Sequence, residues 1–314
     1  MALQRSRSNN LTPALLLAGH WLELAGWWLL ASRTGPVGWV IAALMVSVKF
    51  RHLQEVSHFA VHGVLTRSGV LGTVLTEATV HAPLGFVPVP VRREKHVRRH
   101  HPNATVAGVD PNLAELRMAG LRPGVGSWRF ALAMVFPLTI GGVTDTCRSL
   151  VRNLNPLGAD WWRLGAFVVV PLTLGSLLGW PVAVFGFLLP RLLLYPQLAW
   201  MSLLVEHRWF DAGPATGGPA AIEAARCLRL YPHHRALALL ARGTWLPYGD
   251  LFHYAHSVHP AVRWNYLPFL ERAIGTPAYT PAALLLGGSA VIPHHHRALG
   301  GGGAAGARAG RPRG

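Results

Sequence analysis

The 314-residue chain is 51% hydrophobic and 13% charged, with a mean hydropathy of +0.30, a balance too apolar for an ordinary water-soluble domain and suited to an integral membrane protein. Its 29 Lys and Arg against 13 Asp and Glu give a formal charge of +16, and the basic residues fall mostly between apolar runs, as in cytoplasmic loops, so nucleic-acid binding ranks far lower. Cys147 and Cys227 form no CxxC pair and indicate neither a disulfide framework nor a thiolate metal site.

Residues 1–10 carry Arg5 and Arg7 and lead, without a small-residue cleavage site, into the apolar run 11–31. This reads as a retained first span rather than a cleaved signal, long enough to cross a hydrocarbon core of about 30 Å at about 1.5 Å per residue. His20 and Glu23 share one face of it, either paired inside a bundle or forming a polar contact in a substrate channel. Arg33-Thr34-Gly35-Pro36 is a short turn, and residues 37–50 begin a second span that returns to the starting side. That helix is expected to continue past Lys49 and Arg51 and to carry His58 and His62, four apart on one face. His52 is off this spacing and is expected on the surface. Residues 70–90 are apolar but end in prolines and glycines, which reads as a re-entrant or interfacial segment.

Next comes Arg92-Arg93-Glu94-Lys95-His96-Val97-Arg98-Arg99-His100-His101. In a helix His96 and His100 stack four apart with His101 one step round, so three imidazoles are expected to converge on one point. The five positive neighbours would favour neutral rings, the form that binds metal. Residues 102–111 are turn-rich, and 128–150 are apolar but broken by Pro137 and Gly141-Gly142, which suggests an interfacial helix. Residues 164–178 and 181–205, joined by Gly179-Trp180, make a second hairpin.

Directly beyond that hairpin stand Glu206 and His207, where the blander use is a charged pair capping the helix end. Residues 213–218 are a loop, 220–240 a mixed helical stretch with exposed His233-His234, and Asp250 to Pro260 bring His253, His256 and His259 at a spacing of three. Residues 298–314 repeat Gly, Ala and Arg and are too poor in apolar side chains to fold. One membrane domain over 1–297 is therefore expected before a disordered tail, with His294 to His296 unstructured at its edge.

His58, His62, His96, His100, His101, His207, His253 and His256 are the candidate ligands. If both hairpins span, these eight imidazoles meet on one membrane face. Eight exceed what one metal takes, so two metals sharing them is the natural reading, and imidazole suits iron, zinc, copper and nickel. A soluble di-iron bundle would instead use a set of inward Glu and paired Glu-x-x-His positions, and this sequence has no such set.

The spacings His58-x-x-x-His62, His96-x-x-x-His100-His101 and His253-x-x-His256 resemble the three histidine boxes of the membrane fatty acid desaturases. Asp110-Pro111, the Tyr195-Pro196 helix leading to Glu206-His207, and Pro260-Ala261-Val262-Arg263-Trp264 extend the resemblance from the first span to about Gly275. It implies an all-α membrane protein of about four spanning helices in two hairpins under a cytoplasmic helical cap. It also implies two non-haem iron ions that activate O2, an acyl or lipid-like substrate, and an oxidoreductase reaction, most simply desaturation. A hydroxylase or ketolase on the same scaffold is the nearest alternative, and a non-catalytic membrane binding or sensing relative is one of another class.

The third box departs from the usual HxxHH, because Ser257 follows His256. Either His259 replaces the missing ring, or Asp250 or water fills the gap, or one iron is weakly held. No haem-binding segment is read at either end, so an external donor such as a ferredoxin is expected. Arg92, Arg93, Lys95, Arg98, Arg99 and Arg208 would make the mouth of the site positive and dock an acidic donor, unless they serve topology or contact anionic headgroups.

Overall fold

A computed structural model describes residues 6–155, 157–158, 160–212, 216–285 and 287–306. Among them the chain is helical, with β-pairing limited to three isolated bridges. Helix Ser8–Val61 spans 54 residues but is broken at Gly35, whose φ of 64° and ψ of −149° are not helical. Glycine takes a positive φ without a Cβ clash, and Pro36 then restarts the helix with its φ already set.

The two arms fold back on each other about this break. Lys49 pairs with Glu23, the His20 and His52 rings lie 5.3 Å apart, and Asn10 Oδ1 accepts from the Arg67 amide at 2.8 Å. The expected pairing of His20 with Glu23 is present at 3.4 Å, and His20 Nε2 also bonds the Tyr248 hydroxyl. His52 corrects the surface expectation. It is only 8% exposed, because the first arm and Tyr248 cover it.

Trp162–Leu178 and Trp180–Leu204 form the second hairpin, turning at Gly179 with φ 95°. Ser8–Val61 and Trp180–Leu204 are each long and apolar enough to cross a membrane, whereas Trp162–Leu178 is a shorter apolar helix. The hairpins meet where Trp28 Nε1 donates to Gly186 O at 2.8 Å. A Cβ on Gly186 would lie 2.7 Å from the Trp28 ring, so a small residue is what allows this approach. Val46, Phe50, Leu53, Val56 and Phe59 line the buried face of the second arm and pack with Val182 and Phe187.

Residues 70–90 supply helix Gly69–Thr76 and a π-turn at Glu77–His81, with Thr79 O accepting from Trp21 Nε1 at 2.9 Å. The stretch 128–150, read as broken at Pro137, forms two helices, Ser127–Met134 and Ile140–Asn153, separated by the 3₁₀ turn Phe136–Leu138. Pro137 has no amide hydrogen to continue a helix.

The C-terminal expectation also needs correction. Helix Val291–Gly306 includes His294 to His296, and His295 is fully buried with Nε2 donating to Leu204 O at 2.8 Å. This satisfies one of the carbonyls left open at the end of Trp180–Leu204. Leu299 packs with Leu113 and Leu116 and its carbonyl accepts from the Gly124 amide, so one apolar anchor orders a segment of otherwise poor composition. The rest of the expected tail, 307–314, and Arg5 lie outside the described residues, as does part of the 213–218 loop.

Candidate metal centre

His58 occupies the last turn of Ser8–Val61 and His62 follows as its cap, so their Nε2 atoms lie 3.0 Å apart as the four-residue spacing requires. The next segment, Glu94–His100, is a π-helix, and the His101 amide donates to His96 O. Its i to i+5 ladder widens the turn, so His96 shares a face with His101 rather than with His100. The Nε2 atoms of His96 and His101 are 3.1 Å apart; His96 lies 2.6 Å from His58 and His101 3.3 Å from His62 by the same atoms. The His256 ring, 4.5 Å from that of His62, closes a group of five.

The three imidazoles of 96–101 therefore do not converge on one point. His100 turns the other way and joins His207, His253 and Glu206 in a second group. Nε2 of His207 is 3.1 Å from Nε2 of His253, and the His100 and His207 rings are 5.2 Å apart. Two short stretches link the groups. His100 and His101 are neighbours in sequence, and His253 and His256 stand one turn apart on helix His253–Val258.

The donor set fits two transition-metal ions. A metal–imidazole bond of about 2.0–2.1 Å separates neighbouring ligand nitrogens by about 3 Å, and the Nε2 contacts here fall around that distance. Nε2 of His100 and both nitrogens of His256 are buried without a hydrogen-bond partner, a costly state that a metal would relieve. Burial holds the rings of His62, His96, His101, His207, His253 and His256 well below the usual imidazole range, and mutual repulsion adds to it. They are neutral, as metal binding needs. Burial rather than the basic run is the main cause; Arg92 and Arg93 contribute at His62 only after burial and the neighbouring rings.

Each group is braced from outside. His58 Nδ1 donates to Glu55, 3.1 Å away, and His100 Nδ1 to Asp110 Oδ1 at 2.9 Å. Asp110 also accepts from the Thr105 and Asn112 amides, capping helix Pro111–Met118. Cys227 Sγ lies 3.4 Å from His207 Nδ1. Such contacts fix the tautomer and aim Nε2 inward. Arg226, paired with Glu223, donates to His101 O and Ala104 O and ties the second box to helix Pro219–Arg226.

All eight sequence-derived histidines thus fall into the two groups. His259 does not: it is exposed just beyond helix His253–Val258. Asp250 lies near Glu55 and His58, outside the His100 group, and its carboxylate pairs with Arg51 while accepting from Ser202 Oγ at 2.7 Å. The basic residues divide. Arg93 donates to Val61 O and Ala60 O, closing the end of the helix that carries His58, and Arg92 lines a cavity. Arg208 pairs with Asp211, whereas Lys95, Arg98 and Arg99 are exposed and paired with Glu115 or Glu94.

Glu206 was legible only as a helix-end cap, although an acidic residue beside a candidate ligand was a signal. Glu55, three residues before His58, was a second. Cys227, twenty positions from the ring it supports, had none. A cavity of about 370 Å³ reaches His58, His96 and Glu206 and is walled in part by Phe86, Phe136, Trp200 and Leu203.

No curated protein matches the chain significantly. The description "Fatty acid desaturase" matches residues 34–283, a stretch from the first turn to beyond the third histidine pair that contains every ring of both groups. By that match the chain belongs to the fatty acid desaturase family.

Proposed function

We propose that the protein is a multi-pass membrane enzyme that uses two iron ions and O2 to desaturate an acyl or lipid-like chain. The observation that carries this reading is the division of eight histidines into groups of five and three, with His58 and His96 of the first and Glu206 beside the second lining one cavity. When bound, two irons supply the reduction of O2 and the removal of hydrogen from an unactivated C–H bond, with two electrons from an external donor.

The chain's own residues do the rest. Buried neutral imidazoles hold the metals, while Glu55, Asp110 and Cys227 fix ring orientation. Phe86, Phe136, Trp200 and Leu203 offer apolar contact to a hydrocarbon chain on one part of the cavity wall, beside polar and charged groups. Both hairpins cross the bilayer in this reading, so the ends that carry the histidines share its cytoplasmic face. Lys95, Arg98 and Arg99 form the exposed positive rim that an acidic donor such as a ferredoxin would meet.

The test is reconstitution. Purified protein loaded with iron, given O2, reduced ferredoxin and a membrane lipid extract, should yield a product two mass units lighter than its substrate. A product sixteen units heavier would move the assignment to hydroxylation. Absence of any O2-dependent product across acyl lipids, with iron bound, would remove the oxygenase reading.

A further inference from the structure

The second group has three imidazoles where the first has five, and the position after His256 that could have supplied another is Ser257. Three residues could make up the deficit. His259 is exposed, and Asp250 is held by Arg51 and Ser202 beside Glu55 and His58, outside the His100 group. Glu206 remains. Its carboxylate offers an oxygen within 4.8 Å of the ligand nitrogens of His100, His207 and His253, and its Oε2 is buried with no hydrogen-bond partner. It forms no ion pair among the described residues, although Arg51 and Arg92 line the same cavity.

We propose that Glu206 is the fourth protein ligand of the second metal, standing in for the imidazole that Ser257 does not provide. The proposal rests on the two-metal reading above. A buried carboxylate oxygen without a partner is unfavourable alone. A divalent cation removes that penalty by taking the carboxylate as an anionic oxygen donor. Carboxylate oxygen and imidazole together suit a non-haem iron. Position in the chain makes the geometry: Trp180–Leu204 ends at Leu204, and the turn at 205–206 lets consecutive residues Glu206 and His207 reach the same group. Glu206 also lines the cavity that His58 and His96 of the first group reach.

Iron content decides it, without reference to turnover. Full-length protein purified in detergent and titrated with ferrous iron under anaerobic conditions should bind two ions per chain. Glu206→Gln, which keeps size and shape, should weaken the second ion by about tenfold or more and leave the first unchanged. Glu206→Ala should stop at one ion, and the retained first site reports that the chain has folded. Adding Ser257→His to Glu206→Ala should restore the second ion by returning the missing ring. Two ions bound by Glu206→Gln and Glu206→Ala with wild-type affinity would overturn the proposal while leaving the two-metal reading intact. A wild-type protein that binds no iron would instead overturn the reading on which it rests.

Discussion

Sγ of Cys227 lies 3.4 Å from Nδ1 of His207, and the thiol donates onward to Glu223 Oε2 at 3.3 Å. Glu223 in turn is paired with Arg226, so a chain of side chains runs from the second group of histidines to the backbone of the second box. Cys227→Ala should remove one partner of the His207 ring, leaving its backbone bond to Arg226, and weaken metal binding at that group by about tenfold. An iron titration checks it. Because Cys227 is buried and Cys147 exposed, a thiol reagent should label the folded protein once, at Cys147.

Asp110 does two jobs, and substitution separates them. Asp110→Ala should lose the helix cap, lowering stability by about 0.5–2 kcal/mol, and should also free the His100 ring. Asp110→Asn retains a capping oxygen but presents a weaker partner to the imidazole. Its melting temperature is expected near wild type while iron affinity still falls, as paired thermal unfolding and titration would reveal.

Ligand variants should sort by group. His62→Ala and His100→Ala are each expected to abolish turnover while the protein still inserts and folds, the first by emptying the group of five and the second that of three. Product analysis together with iron content tests both. Wild-type iron and product in either variant would remove that ring from the site.

His259→Ala should change neither iron content nor product yield, because the ring is exposed outside both groups. A loss as severe as that of His256→Ala would mean that His259 reaches the site after all.

The reductant prediction follows from which charges are exposed at the surface: Arg98 and Arg99 are, although both share Glu94 as a partner. Arg98→Glu with Arg99→Glu should slow reduction by an acidic ferredoxin, and the wild-type rate should fall as salt rises, since exposed charges are screened beyond about 10 Å at 0.1 M. Arg93→Glu is expected to act differently, lowering stability through the lost bonds to Ala60 O and Val61 O. Stopped-flow reduction kinetics with a salt series distinguish the two.

Local chemistry made much of this protein legible in its sequence. Apolar runs need no partner to declare themselves, and Gly35-Pro36 and Gly179 mark turns because of what their own backbones can adopt. His58 and His62 were readable as neighbours since an α-helix sets that spacing by itself. Tertiary structure decided the rest. The π-helical turn at Glu94–His100 sends His96 with His101 and turns His100 away, a choice set by one wider turn that residue types alone do not reveal. Likewise His52 is buried by the arm folded over it, and His295 by the helix end it caps. Which group each histidine joins, and that Glu206 lies with one of them, depends on distances between segments far apart in the chain. Those distances exist only once the hairpins, the cap and helix Val291–Gly306 have packed.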